Sequence, residues 1–195
     1  MALSAASLVS IEFGPMVLAD AFPQGLREKA LEAVNQVTPH LIAQRTIYQF
    51  RVYVQQELVH ITDRLFFKSE HVATETGTDV WFMVRALQSR SLNGYERQRA
   101  VRDLLVDVRP WTAPFIVALI GEYIEEILED IMAAATPHTR RELAMFISAN
   151  PAYWQTTKRR VQSYHHIYYR SRKRADYVGF HLINLLEAEL DSHSG

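Results

Sequence analysis

The sequence predicts an all-α fold, and two observations carry that prediction. Apolar residues recur at intervals of three and four along most of the chain, which is typical of helices that bury one face. Short polar turns, several with Gly or Pro, separate these periodic segments. The 195 residues are 48% hydrophobic and 22% charged, which is ordinary globular composition with enough chain for a full core. We therefore predict a single compact all-α domain of seven or eight helices over residues 1–195.

The N-terminal part is the least regular. Residues 1–21 are predicted to be irregular or to form one short strand around Leu8–Phe13, because Gly14-Pro15 would stop any continuation. The first predicted helix covers Arg27–Val37. It ends before Thr38-Pro39, since proline removes a helical hydrogen bond.

The segment Leu41–Phe67 is predicted to be one long helix. Its apolar residues follow the spacing of one buried helical face: Ile47, Phe50, Val54, Leu58, Ile61 and Leu65. The portion Thr46–Val54 is also rich in aromatic and β-branched residues, so a strand there is the alternative.

Two shorter helices are predicted in the middle of the chain. They cover Asp79–Leu87, with Asp79 as the cap, and Tyr95–Val106, and a turn at Ser91–Gly94 joins them. Locally this region resembles a HEAT-type hairpin, in the motifs Val84–Leu87 and Arg97–Leu105. The resemblance implies antiparallel helical hairpins in the middle of the domain.

The segment Trp111–Ala134 is predicted to be one continuous helix with two different faces. Its apolar face carries Tyr123, Ile124, Ile127, Leu128 and Ile131. The opposite face, which we call the acidic arc, carries Glu122, Glu125, Glu126, Glu129 and Asp130. Carboxylates near a helix C-terminus repel one another and meet the negative end of the helix dipole. The acidic arc is therefore interpreted as a solvated surface, a docking surface for a basic segment, or a metal or catalytic carboxylate site.

The C-terminal part is predicted to contain three helices. The first covers Thr139–Ile147. Asn150-Pro151 has the residue types of an N-cap followed by a first helical position, so a second helix begins there and runs to about Arg172. The last helix is predicted from about Ala175 to Leu190.

Charge is distributed unevenly, although the formal net charge is −1. Residues 1–135 carry −5, residues 136–181 form a basic helical module of +7, and residues 182–195 carry −3. On the helix that begins at Pro151, an apolar stripe is predicted to face the core: Trp154, Val161, Tyr164 and Tyr168. Four basic side chains cluster opposite that stripe, and we call them the basic ridge: Arg159, His166, Arg170 and Lys173.

The eight histidines raise two enzyme hypotheses. Glu57 and His60 have the Glu-x-x-His spacing of di-iron bundles, but no other histidine has Asp or Glu three residues before it, as a second copy would require. Arg160–His165 and Arg174–His181 place a histidine after an arginine at a spacing that resembles the HEPN ribonucleases. In that family a polar residue usually follows the arginine, whereas here valine follows it in the first pair and alanine in the second.

Several classes of protein are excluded by composition. The absence of cysteine excludes disulfides, thiol nucleophiles and Cys-containing zinc sites. The longest uncharged runs, Met1–Ile11 and Pro110–Gly121, are shorter than the ~20 apolar residues of a membrane-spanning helix. No basic residue precedes Arg27, so the basic region of a secretory signal is missing. We expect a cytoplasmic protein, and the 17 arginines against four lysines are typical of a GC-rich bacterial genome.

These features predict a non-enzymatic protein–protein interaction, as in an adaptor or assembly subunit. The acidic arc and the basic ridge would bind a protein partner or further copies of this chain. One alternative is nucleic-acid binding by the basic ridge, where cations pair with phosphates and aromatic rings stack on bases. Another alternative is a HEPN-like ribonuclease. No cofactor, metal or membrane belongs to the prediction.

Overall fold

The computed structural model describes residues 9–42, 45–68 and 72–192. Helix accounts for 61% of the structure. The elements in chain order are β1 (Val9–Glu12), α1 (Pro15–Ala19), α2 (Arg27–Val37), β2 (Thr46–Val54), β3 (Glu57–Thr62), α3 (Asp79–Gln88), α4 (Gly94–Leu104), α5 (Ala113–Ile120), α6 (Glu125–Ala133), α7 (Pro137–Ala149), α8 (Pro151–Tyr168) and α9 (Val178–Ser192). Short 3-10 turns lie at Gln24–Leu26, Thr38–His40 and Arg174–Asp176.

The fold is mostly helical but not all-α, because β1, β2 and β3 form an antiparallel sheet in that order. β1 matches the short strand that was the alternative for the N-terminal part, and α2 covers the predicted helix Arg27–Val37. The long helix predicted over Leu41–Phe67 is wrong. The alternative strand over Thr46–Val54 is confirmed as β2.

β2 resembles a helix in sequence because it is covered on both faces. Ile47 and Gln49 are buried on one face, where Gln49 Nε2 donates to the Val17 carbonyl of α1 at 3.4 Å. From Phe50 onward the other face is buried, and the Phe50 ring stacks on Tyr153 at 4.9 Å. Since neighbouring strand residues point to opposite faces, this change of buried face produces the three-residue spacing between Ile47 and Phe50.

The helix predicted over Trp111–Ala134 is two helices, α5 and α6, separated by residues 121–124. Every residue of α5 is buried. A Cβ atom on Gly121 would lie 3.3 Å from the Arg160 side chain and 3.5 Å from that of Thr157, both on α8. Glycine therefore permits the close approach of α8 at the end of α5. The break then places Glu122 inside the protein.

α5 is central to the hydrophobic core, which includes buried residues from each of the described helices α1 to α9. The Phe22 ring stacks on Phe115 of α5 at 5.6 Å and meets Trp111 edge-on at 5.8 Å. α3 and α4 pack against each other as a helical pair, joined by residues 89–93. None of the described helices is both long and apolar enough to cross a membrane.

The helix ends differ from the predictions at single residues. Thr78 rather than Asp79 caps α3, with its Oγ1 accepting from Trp81 N at 3.1 Å. Asn93 caps α4 by accepting from Tyr95 N at 3.1 Å.

α8, which carries part of the basic ridge, begins where predicted and ends earlier. Asn150 precedes Pro151, but its side chain does not cap the helix. Asn150 instead accepts from Tyr53 N and donates to Tyr53 O, both at 2.8 Å, and so takes the place of a neighbouring strand at the edge of β2. α8 ends at Tyr168 rather than near Arg172, which leaves residues 169–177 as a separate segment leading to α9.

Candidate binding surface

The acidic arc is not one exposed face, because α5 and α6 are separate helices. Glu122 lies in the break and is only 4% exposed. Its Oε1 accepts from Arg64 Nη2 at 2.6 Å, and its Oε2 lies 2.8 Å from Arg97 Nε. Arg64 follows β3 and Arg97 belongs to α4, so Glu122 holds three parts of the chain together.

Two further carboxylates of the arc form ion pairs within the chain. Glu125 pairs with Arg172, which lies in the segment after α8. Asp130 accepts from Arg102 Nε of α4 at 2.8 Å. The two remaining carboxylates are exposed: Glu126 and Glu129. The expected exposed row of five carboxylates is therefore corrected to two, and a binding role for any of them stays a prediction.

The basic ridge, by contrast, is exposed at all four of its residues. Its first two members lie on α8 opposite Val161, which is fully buried, and the other two follow the end of the helix. No ion pair involves the ridge within the part of the chain that the structure describes. Its neighbours differ, since Lys158 pairs with Glu187 and Arg172 pairs with Glu125. The ridge therefore keeps its charge available to a partner.

Three tyrosines lie near the end of α8, and we call them the tyrosine cluster: Tyr123, Tyr164 and Tyr168. Their ring centroids are 5.4 to 6.1 Å apart. Tyr123 is 46% exposed and Tyr168 is 58% exposed, and the adjacent Ile167 is also 58% exposed. Rings and an aliphatic side chain thus face solvent at the end of α8, on the side of the helix away from Arg159 and His166.

The apolar stripe of α8 faces the core over only part of its length. Trp154 and Val161 are 3% and 0% exposed, as predicted. Beyond Val161 no residue of α8 is buried: Tyr164 is half-buried and Tyr168 is exposed, so the expected core-facing stripe does not extend to Tyr168. Helical periodicity gives the direction of a side chain but not the extent of the elements beside it. The one sequence signal for this exposed end is the length of the stripe, because a single packing partner does not cover so long a stripe.

Aromatic contacts hold the end of α8 in place. The Tyr169 hydroxyl donates to the Tyr123 carbonyl at 2.7 Å, and the Tyr169 ring stacks on Tyr177 at 5.0 Å. Tyr177 is fully buried at the start of α9, and that burial raises the pKa of its hydroxyl. The tyrosine cluster therefore stands on a backbone fixed both to the α5–α6 break and to α9.

The Glu-x-x-His spacing lies on a strand rather than on a helix. Glu57 and His60 belong to β3, where residues three apart point to opposite faces of the sheet. The two side chains cannot meet at one metal in the manner of a di-iron bundle. Among the residues that the structure describes, no group of three His, Asp or Glu side chains could hold a metal ion.

The two Arg–His pairs are placed differently. Arg160 and His165 both lie on α8, about 140° apart around its axis. The His165 ring contacts Tyr177 and Phe180, each at 5.3 Å between centroids. Arg174 and His181, in contrast, line one shallow cavity at the start of α9. The structure therefore brings only the second pair to a common opening.

Comparison of the chain with protein-family models, with curated proteins and with solved structures finds no match. The candidate site is therefore identified from its geometry alone. It is the exposed end of α8, which carries the tyrosine cluster on one side and, on the other, the basic ridge, whose residues make no ion pair with any residue that the structure describes.

Proposed function

We propose that this protein is a non-enzymatic interaction protein, and that the basic ridge together with the tyrosine cluster is its binding surface. The observation that carries this proposal is that one end of α8 exposes both tyrosine rings and basic side chains that make no ion pair within the described residues. Tyrosine and arginine are among the residue types most enriched at the positions that dominate binding energy in protein interfaces.

The partner that fits this surface is a protein segment with carboxylates beside an apolar or aromatic side chain. The carboxylates would pair with Arg159, Arg170 and Lys173, and the apolar group would lie on the exposed rings. The acidic arc adds little to this surface, because Glu122, Glu125 and Asp130 are already paired within the chain. A heterologous acidic partner is therefore favoured over a second copy of this chain.

Single-stranded nucleic acid is the second candidate ligand. It is supported by the same exposed rings, on which bases stack while cations pair with phosphates. Carboxylates also lie close to this surface: burial, and then the charges of Glu125 and Glu126, raise the pKa of the Tyr169 hydroxyl, and Asp176 is exposed in the following segment. These acids would repel phosphates and carboxylates alike. The rings of the tyrosine cluster, however, pack on one another rather than standing apart as separate platforms for successive bases, and this favours the protein partner.

The test compares two fluorescent probes of equal charge on the full chain. One is a peptide that alternates Glu with Leu and Tyr, and the other is an oligouridylate. We expect fluorescence anisotropy to show peptide binding that weakens as salt rises from about 50 to 500 mM. Reversal of three ridge charges (Arg159→Glu, Arg170→Glu, Lys173→Glu) is expected to weaken peptide binding by roughly tenfold or more.

Two further variants test whether peptide binding depends on this surface or only on the positive charge of the protein. Tyr123→Ser with Tyr168→Ser removes the exposed rings and is expected to weaken peptide binding with little change in salt dependence. A matched control reverses three exposed arginines elsewhere: Arg45→Glu, Arg51→Glu and Arg141→Glu. Equal loss in the control, or absence of peptide binding, contradicts the proposal, and binding of the oligouridylate alone replaces it with the second candidate.

A further inference from the structure

We propose a second site, independent of the proposed function, in which the cavity at the start of α9 binds the phosphate group of a small ligand. The cavity measures about 310 Å³ and is lined by Arg174, Ala175, Phe180, His181 and Asn184. This volume is within the usual range for small-molecule sites.

The sequence brings the lining residues together through one helix and the turn before it. Phe180, His181 and Asn184 have the spacing i, i+1 and i+4, so they lie along neighbouring rows of α9. Arg174 and Ala175 belong to the 3-10 turn Arg174–Asp176, which leads into that helix. The side chains therefore converge because the turn folds back against the first turns of α9.

The Arg174 guanidinium is positioned by an aromatic ring rather than by a carboxylate. It lies over Phe180, 4.2 Å from the ring centroid, which is a cation–π arrangement. In the residues that the structure describes, no carboxylate pairs with Arg174. Stacking uses the face of the guanidinium and leaves its in-plane N–H groups available to an anion.

His181 has one ring nitrogen occupied and one available. Its Nε2 lies 2.5 Å from the Ala175 carbonyl oxygen. Because a carbonyl oxygen only accepts, Nε2 carries the hydrogen, and Nδ1 is left for a ligand. The Asn184 amide is exposed and forms no side-chain hydrogen bond within the described ranges. The cavity thus combines a guanidinium, an imidazole nitrogen and an amide, and no carboxylate lines it.

These groups favour phosphate over carboxylate. A phosphate oxygen pair matches the forked donors of arginine, and its remaining oxygens can meet groups from two other residues. His181 Nδ1 would accept from a protonated phosphate oxygen or, once protonated, donate to a charged one. A carboxylate has only two oxygens and would leave part of the donor set unused.

The experiment titrates the full chain with inorganic phosphate, glycerol phosphate and acetate. NMR signals of the His181 ring and the Asn184 side-chain amide provide the readout. We expect both phosphates to shift these signals at millimolar concentration, and acetate to bind at least tenfold more weakly. A tighter fit for glycerol phosphate than for inorganic phosphate would identify an ester as the ligand, and equal affinity would identify the phosphate group alone.

Arg174→Gln is expected to weaken phosphate binding by about tenfold or more, the effect of losing one charge-assisted pair. Arg51→Gln, on an exposed arginine of β2, is the matched control and should bind as the unaltered chain does. Unchanged thermal unfolding of Arg174→Gln would show that the variant is folded. Absence of shifts, acetate binding as tight as phosphate, or undiminished binding by Arg174→Gln would overturn this proposal, and none of these results bears on the basic ridge, whose residues are unaltered.

Discussion

The ring and the hydroxyl of Tyr153 affect the stability of the folded state in opposite ways. Its ring stacks on Phe50 at 4.9 Å and meets Phe146 at 6.0 Å, so it is part of the core. Its hydroxyl is buried without a hydrogen-bond partner. A buried polar group without a partner destabilises the folded state, whereas the packed ring stabilises it. The burial also raises the pKa of Tyr153 to about 12.

Tyr153→Phe is expected to leave the free energy of unfolding unchanged or to raise it by about 1 kcal/mol, because only the unpartnered hydroxyl is lost. The unfolded chain ionises Tyr153 near its ordinary pKa of 10.0, and the native protein does so only near 12. The native state therefore holds more protons between these pH values, and stability falls as pH rises through that window. Denaturant unfolding at pH 8 and pH 11 should show a smaller alkaline loss in the variant. A clear destabilisation at pH 8 would mean that the hydroxyl has a partner.

The hairpin turn between β2 and β3 uses two residues in an unfavourable conformation. Gln55 and Gln56 have φ values of 49° and 71°. Side chains with a Cβ atom disfavour this left-handed region, and glycine does not. Neither glutamine favours this conformation, so the pairing of β2 with β3 holds the turn in it.

Gln56→Gly is expected to stabilise the protein by about 0.5–1 kcal/mol, since it relieves the left-handed strain. Gln155→Gly, at an exposed position within α8, is the matched control and should cost about 1 kcal/mol. Chemical denaturation of both variants provides the measurement. Loss of stability in Gln56→Gly would show that the glutamine side chain contributes more than its backbone costs.

At the scale of elements, α9 approaches α8 closely at Gly179. A Cβ atom there would lie 2.7 Å from the Tyr177 ring and 2.8 Å from Val161 Cγ1. Both neighbours are fully buried, so neither can move freely. This contact also supports the aromatic packing that holds the end of α8.

Gly179→Ala is expected to destabilise the protein by roughly 1–3 kcal/mol, as overpacking of a core does. Gly25→Ala is the control, because nothing lies within 4 Å of a Cβ atom at that position. Thermal unfolding should separate the two variants. If Gly179→Ala unfolds like the unaltered chain, then α8 and α9 are able to move apart at this point.

At the scale of the whole molecule, buried charges join elements that are distant in sequence. Glu122 in the α5–α6 break pairs with Arg64 and Arg97. Arg90, which is 1% exposed, donates through Nε to the Thr62 carbonyl at 3.0 Å. Burial lowers the pKa of Arg90 to about 10. The sheet, the α3–α4 pair and the centre of the core are thus connected by polar contacts as well as by packing.

Glu122→Gln is expected to destabilise the protein by about 3 kcal/mol, since it leaves two buried or half-buried arginines without their counter-charge. The double variant Arg97→Met with Glu122→Leu should cost less than the sum of its single changes, because it removes both members of the most buried pair.

Glu129→Gln, at an exposed member of the acidic arc, is the control and should stay within about 0.5 kcal/mol of the unaltered chain. Urea unfolding measures these variants, the two single changes Arg97→Met and Glu122→Leu, and the unaltered chain. A negligible effect of Glu122→Gln would show that solvent reaches this ion pair.

The sequence predicted elements well where the signals were local. α2 lies over Arg27–Val37 as expected, because amphipathic spacing and the following proline act within a few residues. The start of α8 at Pro151 was also predicted from adjacent residues. Of the candidate surface, the exposure of the four basic residues of the ridge and the position of Arg159 and His166 opposite Val161 could be predicted. The single domain over residues 1–195, the cytoplasmic location and the protein partner stay predictions.

The sequence by itself determined which segments are amphipathic and where the positive charge is concentrated, since both are properties of neighbouring residues. Only the tertiary structure decided that Thr46–Thr62 pairs as strands, because both faces of β2 are covered by distant elements. It also decided that the helix over Trp111–Ala134 breaks at Gly121, where α8 approaches, and that Glu122 turns inward to meet Arg64 and Arg97. Periodicity specifies the direction in which a side chain points from its helix or strand. Whether that side chain is exposed depends on which element lies in that direction, and that element comes from elsewhere in the chain.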